Sequence, residues 1–101
     1  MLKKGVYAAT LSVLNNDSSL NVEATINHAE QIIAKGLHGV FFFGSTGQSQ
    51  LISMSEKKDL ISKLSTRKLK KKFFIGTGNN SLNETIDLIK YSIEYEFDTF
   101  L

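Results

Sequence analysis

Hydrophobic positions along this chain switch between two spacings, and the switches mark its elements. Val6-Tyr7-Ala8-Ala9-Thr10-Leu11 is a short β-prone run, and the polar stretch Asn15-Asn16-Asp17-Ser18-Ser19 after it reads as loop. Val22, Ile26, Ala29 and Ile33 then recur four, three and four residues apart, which predicts one buried face of a helix. Asn21 supplies its N-cap and Gly36 its C′ residue. Val40 to Phe43 is a continuous apolar run, the signature of a strand covered on both faces.

The alternation repeats. Ser53 and Glu56 have the capping-box spacing and precede Leu60, Ile61 and Leu64, so a second helix is expected there. Phe73-Phe74-Ile75 predicts a third strand. Ser81 and Glu84 repeat the capping spacing, and Leu82, Ile86, Ile89 and Ile93 are again spaced four, three and four, as for a buried helical face. Asp98-Thr99-Phe100-Leu101 reads as the opening of a fourth strand. Strict strand–helix alternation favours an α/β fold with parallel strands and right-handed crossovers. Successive strands begin about 34 residues apart, a period that suits a (β/α)8 TIM barrel of ~250 residues. Residues 1–101 would supply its first three βα units and the start of strand four, the N-terminal part of a single, incomplete TIM-barrel domain.

Composition narrows the function by exclusion. The net charge of +2 singles out no partner, and the absence of cysteine removes disulfides and thiolate chemistry. No apolar stretch approaches the ~20 residues of a membrane span, and the short apolar run after Met1-Leu2-Lys3-Lys4 does not suit a secretory signal. A cytoplasmic protein with no membrane partner is expected. His28 and His38 lack neighbours at metal-ligand spacing, so neither a metal nor a cofactor is expected. The basic run at positions 67–72 has no interleaved aromatic residues and is read as a solvated loop, with no nucleic-acid partner. Tyr91 and Tyr95 fall on the third helix, away from the strand ends.

Two turns remain as candidate chemistry, both at the carboxyl ends of predicted strands, where parallel α/β folds bind ligands. In Gly44-Ser45-Thr46-Gly47 the glycines let backbone approach a ligand, successive N–H groups can form an anion nest, and two hydroxyls add donors. The spacing is not that of a P-loop. The same residues also suit a plain strand-to-helix connection. Gly76-Thr77-Gly78-Asn79-Asn80-Ser81 lacks the third glycine and the acidic residue of a dinucleotide fingerprint, and reads as a supporting wall or as simple turn chemistry. On these residues alone, a stand-alone α/β module binding a carboxylate or phosphate through both turns is an open alternative.

From Gly5 to Leu101 the pattern resembles the dihydrodipicolinate synthase/N-acetylneuraminate lyase family. Gly5 to Ser12 is similar to that family's first strand. Gly44-Ser45-Thr46-Gly47-Gln48 is similar to its G-[ST]-T-G-E signature. Leu51 with Ser55-Glu56 follows the region after the signature, and Gly76 to Ser81 its G-x-G-x-N-[ST] turn. The resemblance implies a TIM-barrel, class I lyase such as dihydrodipicolinate synthase, in which pyruvate or a 2-keto acid forms a Schiff base with a lysine. It implies that Ser45 and Thr46 hold the pyruvate carboxylate, with Ser45 also joining a proton relay, and that Gly44 and Gly47 shape the turn. Ala8 would line the pocket, and Asn80 would match an asparagine whose role varies.

The chain departs from the family at Val13, Ser18, Asn21 and Gln48, where Pro, Gly, Asp and Glu are usual. The family's lysine, on strand six, and its tyrosines, on strands four and five, would fall beyond Leu101. The chain alone is therefore expected to be inactive, and to fold poorly or associate. Full-length members are often homotetramers.

Overall fold

The computed structural model describes residues 5–44, 51–77 and 81–100. The elements run β1 (Tyr7–Ala9), α1 (Val22–Ala34), β2 (Gly39–Phe42), α2 (Met54–Leu64), a 3-10 turn (Lys70–Lys72), β3 (Phe73–Ile75) and α3 (Leu82–Glu94). The strands form one parallel sheet in the order β1-β2-β3, with Ala8 opposite Val40 and Phe41 opposite Phe74. Phe100 adds a parallel bridge to Ile75, the onset of the expected fourth strand.

The sheet has two different faces. Val40, Phe42, Phe73 and Ile75 belong to the buried core that α1 and α2 cover, and Phe42 meets Phe73 edge-on at 5.5 Å. Tyr7, Phe41 and Phe74 stack on the opposite face, with ring centroids 5.1–6.4 Å apart. This split follows from the period-two alternation of strand side chains.

The first two helices match the sequence closely. Asn21 Oδ1 accepts from Ala24 N at 3.0 Å, and the apolar face Val22, Ile26, Ala29 and Ile33 is buried. Thr25 joins that face because its hydroxyl is satisfied: it donates to the Asn21 carbonyl at 2.7 Å and accepts from Val13 N at 3.0 Å. Gly36 takes the left-handed conformation expected of a C′ residue, at φ +106°. In α2 the capping box of Ser53 and Glu56 is complete, and Leu60, Ile61 and Leu64 are fully buried.

The third helix differs. Leu82, Ile86 and Ile93, expected in the core, are 75%, 41% and 56% exposed, while Leu88 and Ser92 are buried. Ser92 is tolerated there because its hydroxyl donates back to the Leu88 carbonyl at 2.8 Å. The periodicity does locate an apolar face on α3, but the face packed against α2 is a different one. Lys58 ties that side to α2, pairing with Asp87 at 2.7 Å and lying 5.3 Å from the Tyr91 ring centroid.

Candidate functional site

Because the strands are parallel, their carboxyl ends lie together, and with them the starts of both Gly-rich turns. β2 ends at Phe42, and the chain turns at once: Phe43, expected inside the strand, has φ +61° while its ring stays buried at 2% exposure. Gly44 follows, half-buried. Beside it, Gly76 leaves β3 and donates its N–H to the Phe42 carbonyl at 2.7 Å. A Cβ on Gly76 would lie 2.7 Å from the Phe42 oxygen and 2.8 Å from the Phe43 oxygen, so this approach requires glycine. On the other flank Thr10 N donates to the Phe41 carbonyl at 3.0 Å. Thr10 and Thr77 are both buried at these strand ends.

Ser45, Thr46 and Gly47 of the first turn, and Asn80 of the second, lie outside the described residues. Gly44 stands where it was expected, at the mouth of the first turn. Ala8 does not line this end of the sheet's open face. It pairs with Val40 and packs against the core on the helix-covered side, because side chains alternate along β1. Ala9 is the exposed residue in register with Phe41.

One residue near this end was not anticipated. Lys57, in the first turn of α2, is only 1% exposed, and its Nζ lies 5.8 Å from the centroid of the Phe43 ring. Burial pushes its ammonium below the usual lysine range, and the charge of Glu84, in the first turn of α3, opposes that shift. The capping-box motif drew attention to Glu56 and its neighbours, but nothing in the hydrophobic pattern marks a lysine as buried.

The other candidates fall elsewhere. A cavity of about 850 Å³ opens at the amino ends of the strands, lined by His38, Lys70, Lys72, Phe74 and Glu96 among others. It lies at the foot of the sheet, away from both Gly-rich turns. His38 there accepts from Val6 N at 2.9 Å through Nδ1, a structural link between β1 and the loop before β2. Part of the basic run is locally paired: Arg67 bridges to Glu23 and Glu30, and Lys70 to Glu96. Tyr91 and Tyr95 stack at 5.1 Å beside α2. The hydrogen bond between their hydroxyls raises the Tyr91 pKa to about 12 and lowers that of Tyr95. Among the described residues no cluster of three metal-ligating side chains occurs, and no helix is long and apolar enough to cross a membrane.

The sequence model of the Dihydrodipicolinate synthetase family matches residues 2–101. The chain belongs to this family. A 4-hydroxy-tetrahydrodipicolinate synthase of Methanosphaera stadtmanae is 27% identical over 99 residues, covering 97% of this chain and 33% of that protein. The crystal structure of dihydrodipicolinate synthase from Agrobacterium tumefaciens superposes with a TM-score of 0.86 at 21% identity, over 98% of this chain and 35% of that one. A prophage protein of the dihydrodipicolinic acid synthase family from E. coli K12, solved in complex with pyruvate, gives a TM-score of 0.80 at 25% identity, over 99% and 34%. The chain thus spans about a third of the length of the curated relatives it matches. The three βα units and the Phe100 bridge are the opening of the TIM barrel that these dihydrodipicolinate synthetase relatives share.

Proposed function

We propose that this chain forms the carboxylate-binding part of a pyruvate-dependent class I lyase resembling 4-hydroxy-tetrahydrodipicolinate synthase. In this reading Ser45 and Thr46 hold the pyruvate carboxylate through their hydroxyls and backbone N–H groups, and Gly44 and Gly47 let the backbone curl around it. Oriented donors of this kind fix the keto acid while a lysine amine attacks C2 and water leaves to give the iminium. That lysine would come from a later strand of the barrel. Ser45 also passes a proton to or from the reacting centre, Ala9 takes the place on the pocket wall expected of Ala8, and Asn80 closes the side formed by the second turn.

The observation that carries this reading is the junction of β2 and β3. A buried strand ends in a left-handed residue, and the glycine of the neighbouring strand end touches its backbone, so two Gly-rich turns start side by side. The pyruvate bound by the E. coli relative supports the ligand class. The test is a pyruvate titration of the chain and of its Ser45→Ala and Thr46→Val variants, followed by the relaxation of 13C-labelled pyruvate. Binding that weakens in both variants supports the clamp, and binding indifferent to both removes it.

A further inference from the structure

Phe43 combines two features that oppose each other. Its φ of +61° lies in the left-handed region that a bulky side chain avoids, yet its ring is buried against Phe42 at 6.2 Å. Such a conformation persists only where the surroundings over-determine it. Two contacts do so here. From below, Gly76 donates to the Phe42 carbonyl at 2.7 Å and leaves free the volume that the Phe43 carbonyl needs. From above, the buried Lys57 ammonium lies over the Phe43 ring at 5.8 Å, within the range of a cation–π contact.

We infer that Lys57 and Gly76 are positioning residues. Together they lock Phe43 in its left-handed conformation and so set the direction in which the Gly44-Ser45-Thr46-Gly47 turn leaves the sheet. The consequence for pyruvate rests on the carboxylate-binding reading above, whereas the lock itself does not. Lysine suits the role because it supplies both a long apolar stem that tolerates burial and a cation for the ring face. Gly44 follows Phe43 directly, so a rotation there would redirect the backbone from the first residue of the turn onward.

The experiment uses the full 101-residue chain, labelled with 15N and 13C, and its Lys57→Met, Lys57→Arg and Gly76→Ala variants. The intraresidue amide–Hα cross-peak of Phe43 reports positive φ directly. It is expected to be strong in the parent chain and in Lys57→Arg, which keeps a cation over the ring, and to weaken in Lys57→Met and Gly76→Ala. Pyruvate affinity should fall roughly tenfold in the latter two and recover in Lys57→Arg. The amide shifts of α1 should stay unchanged. Should Gly76→Ala fail to fold, the Met and Arg pair carries the test. A Phe43 that stays left-handed in Lys57→Met, or that is not left-handed in the parent chain, overturns the inference. A lock that responds as described in a chain that ignores pyruvate overturns the functional reading alone.

Discussion

The backbone N–H of Leu20 donates to the Glu56 carboxylate at 2.5 Å, joining residues 36 apart in sequence. The other carboxylate oxygen accepts from Ser53 N at 3.0 Å, closing the capping box of α2. One side chain therefore both starts α2 and anchors the loop that leads into α1. Glu56→Ala should destabilise the chain by about 1–2 kcal/mol, because it strands the Leu20 N–H and opens the cap. Urea unfolding of the two proteins checks this.

The same contact makes stability depend on pH. The Leu20 and Ser53 N–H groups hold the Glu56 pKa below its ordinary value. The stabilisation is thus fully present above the unfolded glutamate pKa and is lost as pH falls through the lowered folded-state value. Melting temperature measured down an acid series should drop less steeply in Glu56→Gln than in the parent chain. An identical slope in both would exclude Glu56 as the group responsible.

Besides Phe43, two of the described residues hold left-handed backbone without glycine. Ser18 has φ +71° in the loop before α1. Glu96 has φ +67° as the C′ residue of α3, where its N–H donates to Ile93 O at 2.8 Å and that of Phe97 to Ser92 O at 3.0 Å, the bonds of a Schellman motif. Ser18→Gly and Glu96→Gly should each stabilise by about 0.5–1 kcal/mol, the relief of strain exceeding the added freedom of the unfolded chain. Thermal melts of the single and double variants measure this, and the two effects should add.

These positions also show where the sequence stops being legible. Caps written in side chains, such as Asn21 and Ser53, were readable because the capping residue is itself the signal. The end of α1 was readable because Gly36 marks it. The end of α3 carries no glycine, so its Schellman geometry left no trace in composition. Phe43 misled in the same way: an apolar residue continuing an apolar run reads as strand, and only the carbonyl contacts with Gly76 reveal the turn. On α3 the four-three-four spacing located an apolar face but could not say what covers it.

Leu88 is fully buried and Ile93 more than half exposed. Leu88→Ala should therefore cost about 2–5 kcal/mol, whereas Ile93→Ala should fall within about 0.5 kcal/mol of the parent. Charging the exposed stripe with Ile86→Lys and Ile93→Lys should reduce concentration-dependent association in sedimentation velocity, with the melting temperature little changed.

Lys57 is the buried lysine nearest the strand ends, and its lowered pKa invites a role as the Schiff-base nucleophile. Its burial at 1% exposure against the Phe43 ring argues against that. Treating the chain with pyruvate and borohydride should leave its mass unchanged. A reduced pyruvyl adduct mapped to Lys57 would move the covalent chemistry onto this chain and end its reading as the carboxylate clamp alone.

Carboxylate recognition by the turn after β2 is read out by amide-resolved NMR during titration with pyruvate, and separately with methylglyoxal, which replaces the carboxylate by an aldehyde. The expected result is a saturable shift of the Gly44, Ser45, Thr46 and Gly47 amides with pyruvate and none with methylglyoxal. Amides that stay still with both ligands, or that move instead beside Lys70–Lys72 at the foot of the sheet, would contradict it.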